Sequence, residues 1–183
     1  PDADFSEAAR LVSYGLLLNH GRTCLAPRRV FFPEAHRDAF IAALATALSA
    51  WKNAREPDAE PLPWPPQATA AVAAARAAGA STPHGLVEAL PPGVDVLMGV
   101  SPEMELWRTD VFAPVLMLIP YAEEAEALAA DANCPYRLGA SVLGSDIQAA
   151  RAFANRLTAP TVCINDLVVP TADPRLSFSG AGE

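Results

Sequence analysis

The sequence predicts an α/β fold with a mostly parallel sheet covered by helices on both faces. In the second half of the chain, apolar runs of about five residues alternate with helical segments of about ten residues. This alternation is typical of βαβ units, whose strands are buried on both faces and are therefore apolar throughout. A chain of 183 residues can enclose the core of one ordinary domain, so a single domain is expected.

The first predicted helix begins after Asp4, whose side chain can accept hydrogen bonds from the backbone of the first turn. Glu7 stands three residues later, and the two acids together form the pattern of a capping box. Apolar residues then recur at helical spacing as far as Leu16. The helix is predicted to end at residues 19–21, where Gly21 can adopt the positive φ of a helix C-cap.

A β-branched and aromatic run at residues 29–32 predicts a buried strand, and Pro33 suits the first turn of a long helix behind it. Residues 54–66 contain five prolines, which predicts an extended surface connection within one domain. An alanine-rich helix is predicted at residues 68–78 and ends at Gly79. The apolar face of the long helix is formed by Phe40, Ile41, Leu44 and Leu48.

Beyond Gly79 the pattern of strands and helices is regular. Strands are predicted at residues 94–100, 115–119, 139–143 and 161–165, and helices at residues 123–131 and 146–157. Cys163 lies within the last strand, and we expect it in the core because cysteine is often fully buried. Trp51, Trp64 and Trp107 are scattered along the chain and are expected to serve as packing anchors.

The composition argues against several classes of partner. Lys and Arg number 13 against 21 Asp and Glu, and a net charge of -8 lacks the basic footprint of a nucleic-acid-binding protein. No apolar run approaches the roughly 20 residues of a membrane span, and the first residues lack the features of a signal peptide. Three cysteines without metal-ligand spacing predict neither a disulfide framework nor a metal site, which favours the cytoplasm.

Cys24 is the first candidate for chemistry. It ends the run Asn-His-Gly-Arg-Thr-Cys at residues 19–24, directly after the first helix. A glycine-containing turn at this place can present the thiol to a cleft, which makes Cys24 a candidate nucleophile. The run resembles the nucleophile loop of the aldehyde dehydrogenase superfamily, in which an Asn-x-Gly-x-x-Cys segment carries the catalytic thiol. His20 has two interpretations, a surface residue at a helix C-terminus or an imidazolium near the thiol.

A second stretch, Asp-Val-Phe-Ala-Pro-Val at residues 110–115, is similar to the Glu-x-Phe-Gly-Pro-Val motif of the same superfamily. The resemblance implies that Asp110 holds a ribose of NAD or NADP and that Phe112 lies beside the nicotinamide. Two departures stand out, because Asp110 is one methylene shorter than Glu and Ala113 requires an ordinary φ where the family has glycine. Asp110 is equally interpretable as a solvated acid of a turn.

Three further stretches extend the resemblance towards the end of the chain. Residues 134–142 are similar to the family's Tyr-Gly-Leu-Ala-Ala-Ser-Val strand entry, and residues 161–166 to its strand ending in asparagine. Residues 173–180 are similar to its Pro-Phe-Gly-Gly segment, with Ser177 and Ser179 as departures. The resemblance implies that Asn165 and Phe178 lie near the substrate. The chain is therefore identified as a member of the superfamily, corresponding to the C-terminal portion of its catalytic domain.

The resemblance implies NAD(P)-dependent oxidation of a small-molecule aldehyde to a carboxylic acid, through a thiohemiacetal and then a thioester on Cys24. In the family, the dinucleotide-binding domain, the oxyanion-binding Asn and the general base Glu all precede the cysteine. None of these is present within residues 1–183, so the isolated chain is expected to be inactive and to belong to a longer protein. The resemblance also implies a homo-oligomer of the full-length protein, because its last strand region pairs with a neighbouring subunit.

Two other functions remain open from the sequence. The departures at Asp110, Ala113, Ser177 and Ser179 allow a non-catalytic relative that serves as an interaction or scaffold module. In a third hypothesis, the thiol chemistry is the same but the acyl group is transferred to coenzyme A.

Overall fold

The computed structural model describes residues 2–54, 60–135 and 137–167. Within these ranges the strands are β1 (Arg29–Pro33), β2 (Asp95–Met98), β3 (Val115–Tyr121), β4 (Gly139–Val142) and β5 (Thr161–Ile164). The α-helices are α1 (Phe5–Leu17), α2 (Arg37–Ala54), α3 (Pro66–Ala77), α4 (Glu105–Arg108), α5 (Glu124–Ala132) and α6 (Ile147–Ala154). Short 3-10 turns lie at Leu18–Gly21, Glu34–His36 and His84–Leu86.

Helix α1 begins as the sequence predicts. The Asp4 carboxylate accepts hydrogen bonds from the backbone N–H groups of Ser6 and Glu7, at 2.9 and 3.2 Å. The Glu7 side chain does not complete the capping box, because its carboxylate instead accepts hydrogen bonds from the Arg10 guanidinium. The shorter of these bonds, from Nη2 to Oε1, measures 2.6 Å. The predicted C-terminal turn is also confirmed, with Gly21 at φ +69°.

The strands form two parallel sheets. The larger sheet has the order β1-β3-β2, and the smaller one pairs β4 with β5. Parallel pairing of neighbouring strands confirms the predicted α/β class.

The prediction that Pro33 lies in the first turn of the long helix is wrong. Pro33 is the last residue of β1, opposite Tyr121, and a 3-10 turn separates it from α2. Because β1 is at the edge of its sheet, the missing N–H of proline is tolerated there.

Strand β3 shows why helices cover both faces of the larger sheet. Its side chains alternate between two buried clusters, with Leu116 and Leu118 in one and Val115 and Met117 in the other. The first cluster packs the sheet against α1 and α2, through Val12, Leu16, Leu44 and Leu48 among others. The second packs it against α3 and α4, through Ala68, Val72, Leu106 and Trp107 among others.

The tryptophans differ in burial. Trp107 is fully buried and Trp64 packs against the second cluster while its Nε1–H donates to the Gly93 carbonyl at 2.8 Å, so both anchor the fold as predicted. The prediction is wrong for Trp51, which is 42% exposed. The fully buried positions of α2 end at Leu48, and Trp51 lies in the final part of that helix. No helix in the described part of the chain is long and apolar enough to cross a membrane.

Candidate active site

The loop that carries Cys24 has an unusual backbone. Asn19 and His20 have φ of 50° and 56°, and Gly21 continues the left-handed conformation at 69°. Three successive left-handed residues turn the chain sharply after α1 and lead into β1. The loop leaves Cys24 exposed, and His20 is exposed as well. We call residues 19–24 the thiol loop.

The second predicted segment, residues 110–114, connects α4 to β3, and we call it the acidic turn. Asp110 is exposed, while Phe112 is 37% exposed with φ at 37°. Ala113 is buried, and the positive φ of the turn falls on Phe112 rather than on Ala113. The expectation of an ordinary φ at Ala113 is therefore confirmed, and the strained position is one residue earlier.

The larger sheet brings the thiol loop and the acidic turn together. The loop leads into β1 and the turn leads into β3, and these strands are parallel neighbours with Arg29 opposite Met117. Segments that precede adjacent parallel strands meet at the amino edge of the sheet. The contact is close, because a Cβ on Gly21 would lie 2.5 Å from the Pro114 nitrogen and 2.6 Å from the Ala113 carbonyl carbon. Only glycine fits at this position.

Arg28 links the same two segments and was not identified from the sequence. Its Nη1 donates to the Ala113 carbonyl at 2.6 Å, and its Nη2 donates to the Gly21 carbonyl at 2.8 Å. Burial lowers the pKa of the guanidinium to about 10, and the nearby Asp110 carboxylate opposes that shift. The available signal was the arginine pair at 28–29, at the start of the strand predicted to be buried, where charged side chains need partners.

Its neighbour Arg29 has a different environment. The Arg29 Nη2 donates to the Trp107 carbonyl at 2.5 Å, and the guanidinium carbon lies 5.1 Å from the centre of the Trp107 ring. Burial lowers the pKa of Arg29, and the Cys134 and Asp131 side chains oppose the shift. The two arginines thus serve different segments, and only Arg28 reaches the thiol loop and the acidic turn.

A cavity of about 410 Å³ opens beside the site, and Cys24 and Asp110 both line it. Every residue of β1 and of β4 contributes to its wall. Side chains of a strand alternate between faces, so a cavity that contacts consecutive residues of both strands lies between their edges. The cavity therefore lies between the two sheets and has a mostly apolar lining, to which Cys24 of the thiol loop contributes.

Asn165, which the resemblance places near the substrate, follows β5. Its φ is 55°, and its side chain forms two hydrogen bonds with Gly144, accepting from the N–H and donating to the carbonyl at 2.9 Å each. These bonds tie the end of β5 to the loop after β4. Asn165 does not line the cavity that Cys24 borders. Phe178 lies outside the described residues.

The three cysteines differ in their surroundings, although all line the cavity. Cys24 is exposed and Cys134 is buried. Cys163 is half-buried rather than in the core, because its strand borders the cavity. Burial raises the pKa of its thiol, and Asp166 adds to the shift. Cys24 is thus the most accessible of the three thiols.

Backbone strain coincides with the predicted segments. Among the described residues, the non-glycine positions with positive φ are Asn19, His20, Phe112 and Asn165. Two lie in the thiol loop, one in the acidic turn and one at the end of β5. Such conformations persist only where the surrounding structure holds them, and they are concentrated at functional sites.

A family model described as the aldehyde dehydrogenase family matches residues 1–183. The chain belongs to this family. Among its curated relatives is the NADP/NAD-dependent aldehyde dehydrogenase PuuC of Escherichia coli, which is 26% identical over 97% of this chain and 39% of its own length. The family assignment confirms the resemblance deduced from the motifs.

Solved aldehyde dehydrogenase structures have the same fold. The NAD-dependent enzyme of Sinorhizobium meliloti matches 99% of this chain and 38% of its own, with 26% identity and a TM-score of 0.78. A cysteine-to-alanine mutant of aldehyde dehydrogenase C from Pseudomonas syringae, in complex with NAD+ and octanal, matches with 25% identity and a TM-score of 0.74. It covers all of this chain and 40% of its own. The chain thus spans about two fifths of the length of these relatives.

Proposed function

We propose that this chain supplies the nucleophile and part of the cofactor contact of an NAD(P)-dependent aldehyde dehydrogenase. Residues 1–183 are then the C-terminal portion of the catalytic domain of a longer, cytoplasmic protein. The observation that carries the proposal is the backbone contact of Gly21 with Ala113 and Pro114. It joins the thiol loop to the acidic turn, and these segments hold the residues that the family uses on the aldehyde and on the cofactor.

In the proposed reaction, the Cys24 thiolate attacks the aldehyde carbon and forms a C–S bond, while the carbonyl electron pair moves to oxygen. The backbone N–H of Cys24 makes no hydrogen bond within the described part of the chain, so it can donate to this oxyanion. Loss of hydride from the same carbon gives a thioester. Water then breaks the C–S bond, releasing the carboxylic acid and regenerating the thiol.

NAD(P)+ supplies the hydride acceptor when it is bound. Two side chains of the acidic turn fit such a molecule. The exposed Asp110 carboxylate borders the cavity that Cys24 shares, where it can accept hydrogen bonds from ribose hydroxyls. The exposed Phe112 ring offers an apolar surface for the nicotinamide. Residues 1–183 contain no Gly-x-Gly-x-x-Gly run, so we assign the diphosphate contacts to other parts of the protein.

The general base and the side-chain donor of the oxyanion hole are assigned to the part of the protein outside residues 1–183. This follows from the family order of those residues and from the two-fifths coverage of the relatives. We therefore expect the intact protein to oxidise aldehydes and the isolated chain to be inactive.

The test uses the intact protein and iodoacetamide, with and without an aldehyde such as octanal. Cys24 is expected to be alkylated first and to be protected by aldehyde. The Cys24→Ala variant is expected to lose aldehyde-dependent NAD(P)H formation by about a thousandfold or more, as removal of a nucleophile does. Cys163→Ala is the control and should retain activity. Equal labelling of the three cysteines, indifferent to aldehyde, contradicts the proposal.

A non-catalytic interaction module is the second candidate, and the shorter Asp110 carboxylate favours it. Calorimetric titration of the intact protein with NAD+ and NADP+ separates the two candidates. Tight cofactor binding excludes the simplest scaffold role. Product analysis separates hydrolysis from transfer to coenzyme A, because the first gives a free acid and the second an acyl thioester.

We also propose a homo-oligomer of the full-length protein. Strand β5 pairs with β4 along one edge, and within the described residues no strand pairs with its other edge. An open edge can pair with a strand of a second subunit. Sedimentation of the intact protein tests this, and a stable monomer at micromolar concentration contradicts it.

A further inference from the structure

Arg28 occupies a structural position that the proposed chemistry does not use directly. Its backbone carbonyl accepts a hydrogen bond from the Met117 N–H at 2.8 Å, which fixes it to β3. Its guanidinium then extends to Gly21 in the thiol loop and to Ala113 in the acidic turn. One residue is thus bonded to the sheet and to both functional segments.

The chemistry of these contacts requires arginine. Two carbonyls that lie on different segments need two donors in a fixed fork, which a guanidinium provides and an ammonium does not. With a pKa of about 10, Arg28 stays charged at neutral pH, so both bonds are charge-assisted. The Asp110 carboxylate is close enough to offset part of the desolvation of the guanidinium.

We infer that Arg28 is a positioning residue of the proposed aldehyde dehydrogenase site. It holds the thiol loop and the acidic turn in a fixed relation, so that an adduct on Cys24 faces the cofactor beside Asp110 and Phe112. This inference rests on the proposed function. Reaction rates depend steeply on such alignment, and a displacement of about 1 Å can lower a rate about a hundredfold.

The Gly21 contact and the Arg28 bonds act on the same junction in different ways. The close approach at Gly21 prevents the two segments from moving nearer, and the guanidinium prevents them from separating. Without Arg28, the Gly21 carbonyl loses this donor, the Ala113 carbonyl keeps only its bond from the Val115 N–H, and the segments can move apart. The chemistry of each segment then persists, but their relative position is no longer fixed.

The test compares Arg28→Ala and Arg28→Lys with the wild-type intact protein in single-turnover hydride transfer at saturating aldehyde and cofactor. We expect Arg28→Ala to lower this rate about a hundredfold, with a much smaller change in the KM for aldehyde. Iodoacetamide labelling of Cys24 without cofactor should change less than about threefold, because the thiol itself is untouched. Lysine should restore little of the rate, since its ammonium ends one bond short of the two Nη atoms and lacks their fixed fork.

Millimolar guanidinium ion should raise the rate of Arg28→Ala, because it can occupy the space of the lost side chain. A loss of general stability gives no such rescue. Arg10→Ala is the matched control, an exposed arginine of α1 whose partner is Glu7. A wild-type rate in Arg28→Ala, an equal loss in Arg10→Ala or the absence of guanidinium rescue overturns the inference.

The inference also has a readout that does not need activity. Amide hydrogen exchange of the thiol loop and the acidic turn should accelerate in Arg28→Ala, while exchange in β2 and β3 stays unchanged. If the wild-type protein oxidises no aldehyde, the proposed function fails, and exchange still decides whether Arg28 holds the two segments. If Arg28→Ala does not fold, Arg28→Lys is measured in its place, and unaltered exchange in both segments overturns the inference.

Discussion

The larger and smaller sheets support different parts of the candidate site, and they differ in burial. Most residues of β2 and β3 are fully buried, whereas β4 and β5 contain none that is. The two core clusters likewise contain no residue of β4 or β5. The acidic turn therefore precedes a well-packed strand, and the thiol loop precedes β1, in which only Phe32 is buried but which pairs with β3 along its whole length. Asn165 follows a thinly covered pair of strands.

This difference has a chemical meaning. In the proposed reaction, attack on the aldehyde and hydride transfer require fixed distances, and the two proposed segments directly precede neighbouring strands of the larger sheet. The Asn165 side chain compensates locally for the thin packing, because its two bonds to Gly144 join the ends of β4 and β5.

The largest effect is expected at the junction of the thiol loop with the acidic turn. Gly21→Ala should lower the free energy of unfolding by about 3 kcal/mol, from its positive φ and from overlap with the backbone of residues 113–114. Gly79→Ala is the matched control, because Gly79 also has a positive φ but open space around it. The control should lose about 1 kcal/mol in urea denaturation. Equal losses would show that the junction is not tightly packed.

A matched pair of valines compares the two sheets directly. Val96 in β2 is fully buried, and Val162 in β5 is half-buried. Val96→Ala should lower the free energy of unfolding by about 2 kcal/mol and Val162→Ala by well under 1 kcal/mol. Urea denaturation measures both. A larger loss at Val162 means that the small sheet is covered more fully than the described residues indicate.

Asn165 tests the local compensation in the small sheet. Asn165→Ala should lower the free energy of unfolding by about 1.5 kcal/mol, because it removes both bonds to Gly144 and places alanine at φ 55°. Asn165→Gly keeps the backbone conformation and should lose less, about 0.5–1 kcal/mol. The difference in thermal denaturation between the two variants isolates the backbone term. Identical midpoints would show that the left-handed conformation at this position does not destabilise the alanine variant.

The smallest expected effect is a difference in reactivity among the three thiols, which is measured on the protein without any substitution. At pH 8 iodoacetamide should modify Cys24 first, with Cys163 about tenfold slower and Cys134 slower still. The raised pKa of Cys163 leaves less thiolate at a given pH, so its rate should continue to rise at a pH where an ordinary thiol has levelled off. Peptide mapping by mass spectrometry measures the three rates. In urea the rates should converge, and persistent differences there contradict a structural cause.

Much of the local structure could be predicted from the sequence. The cap at Asp4, the left-handed Gly21 and the alternation after Gly79 follow from rules that act over a few residues. Those rules failed where packing decides. Trp51 and Cys163 are residue types that are usually buried, but a residue type does not tell whether a neighbouring element covers it. Pro33 suits a strand end as well as a helix start, and the edge position of β1 decided between them.

The sequence by itself determined the α/β class and the segments that contain Cys24 and Asp110, because hydrophobic periodicity and turn chemistry are local. Only the tertiary structure decided that these segments touch. Gly21 and Ala113 are far apart in the chain and meet because β1 and β3 are parallel neighbours, which aligns the segments before them. The role of Arg28 follows from the same pairing, since its two acceptors become neighbours only when the sheet has formed.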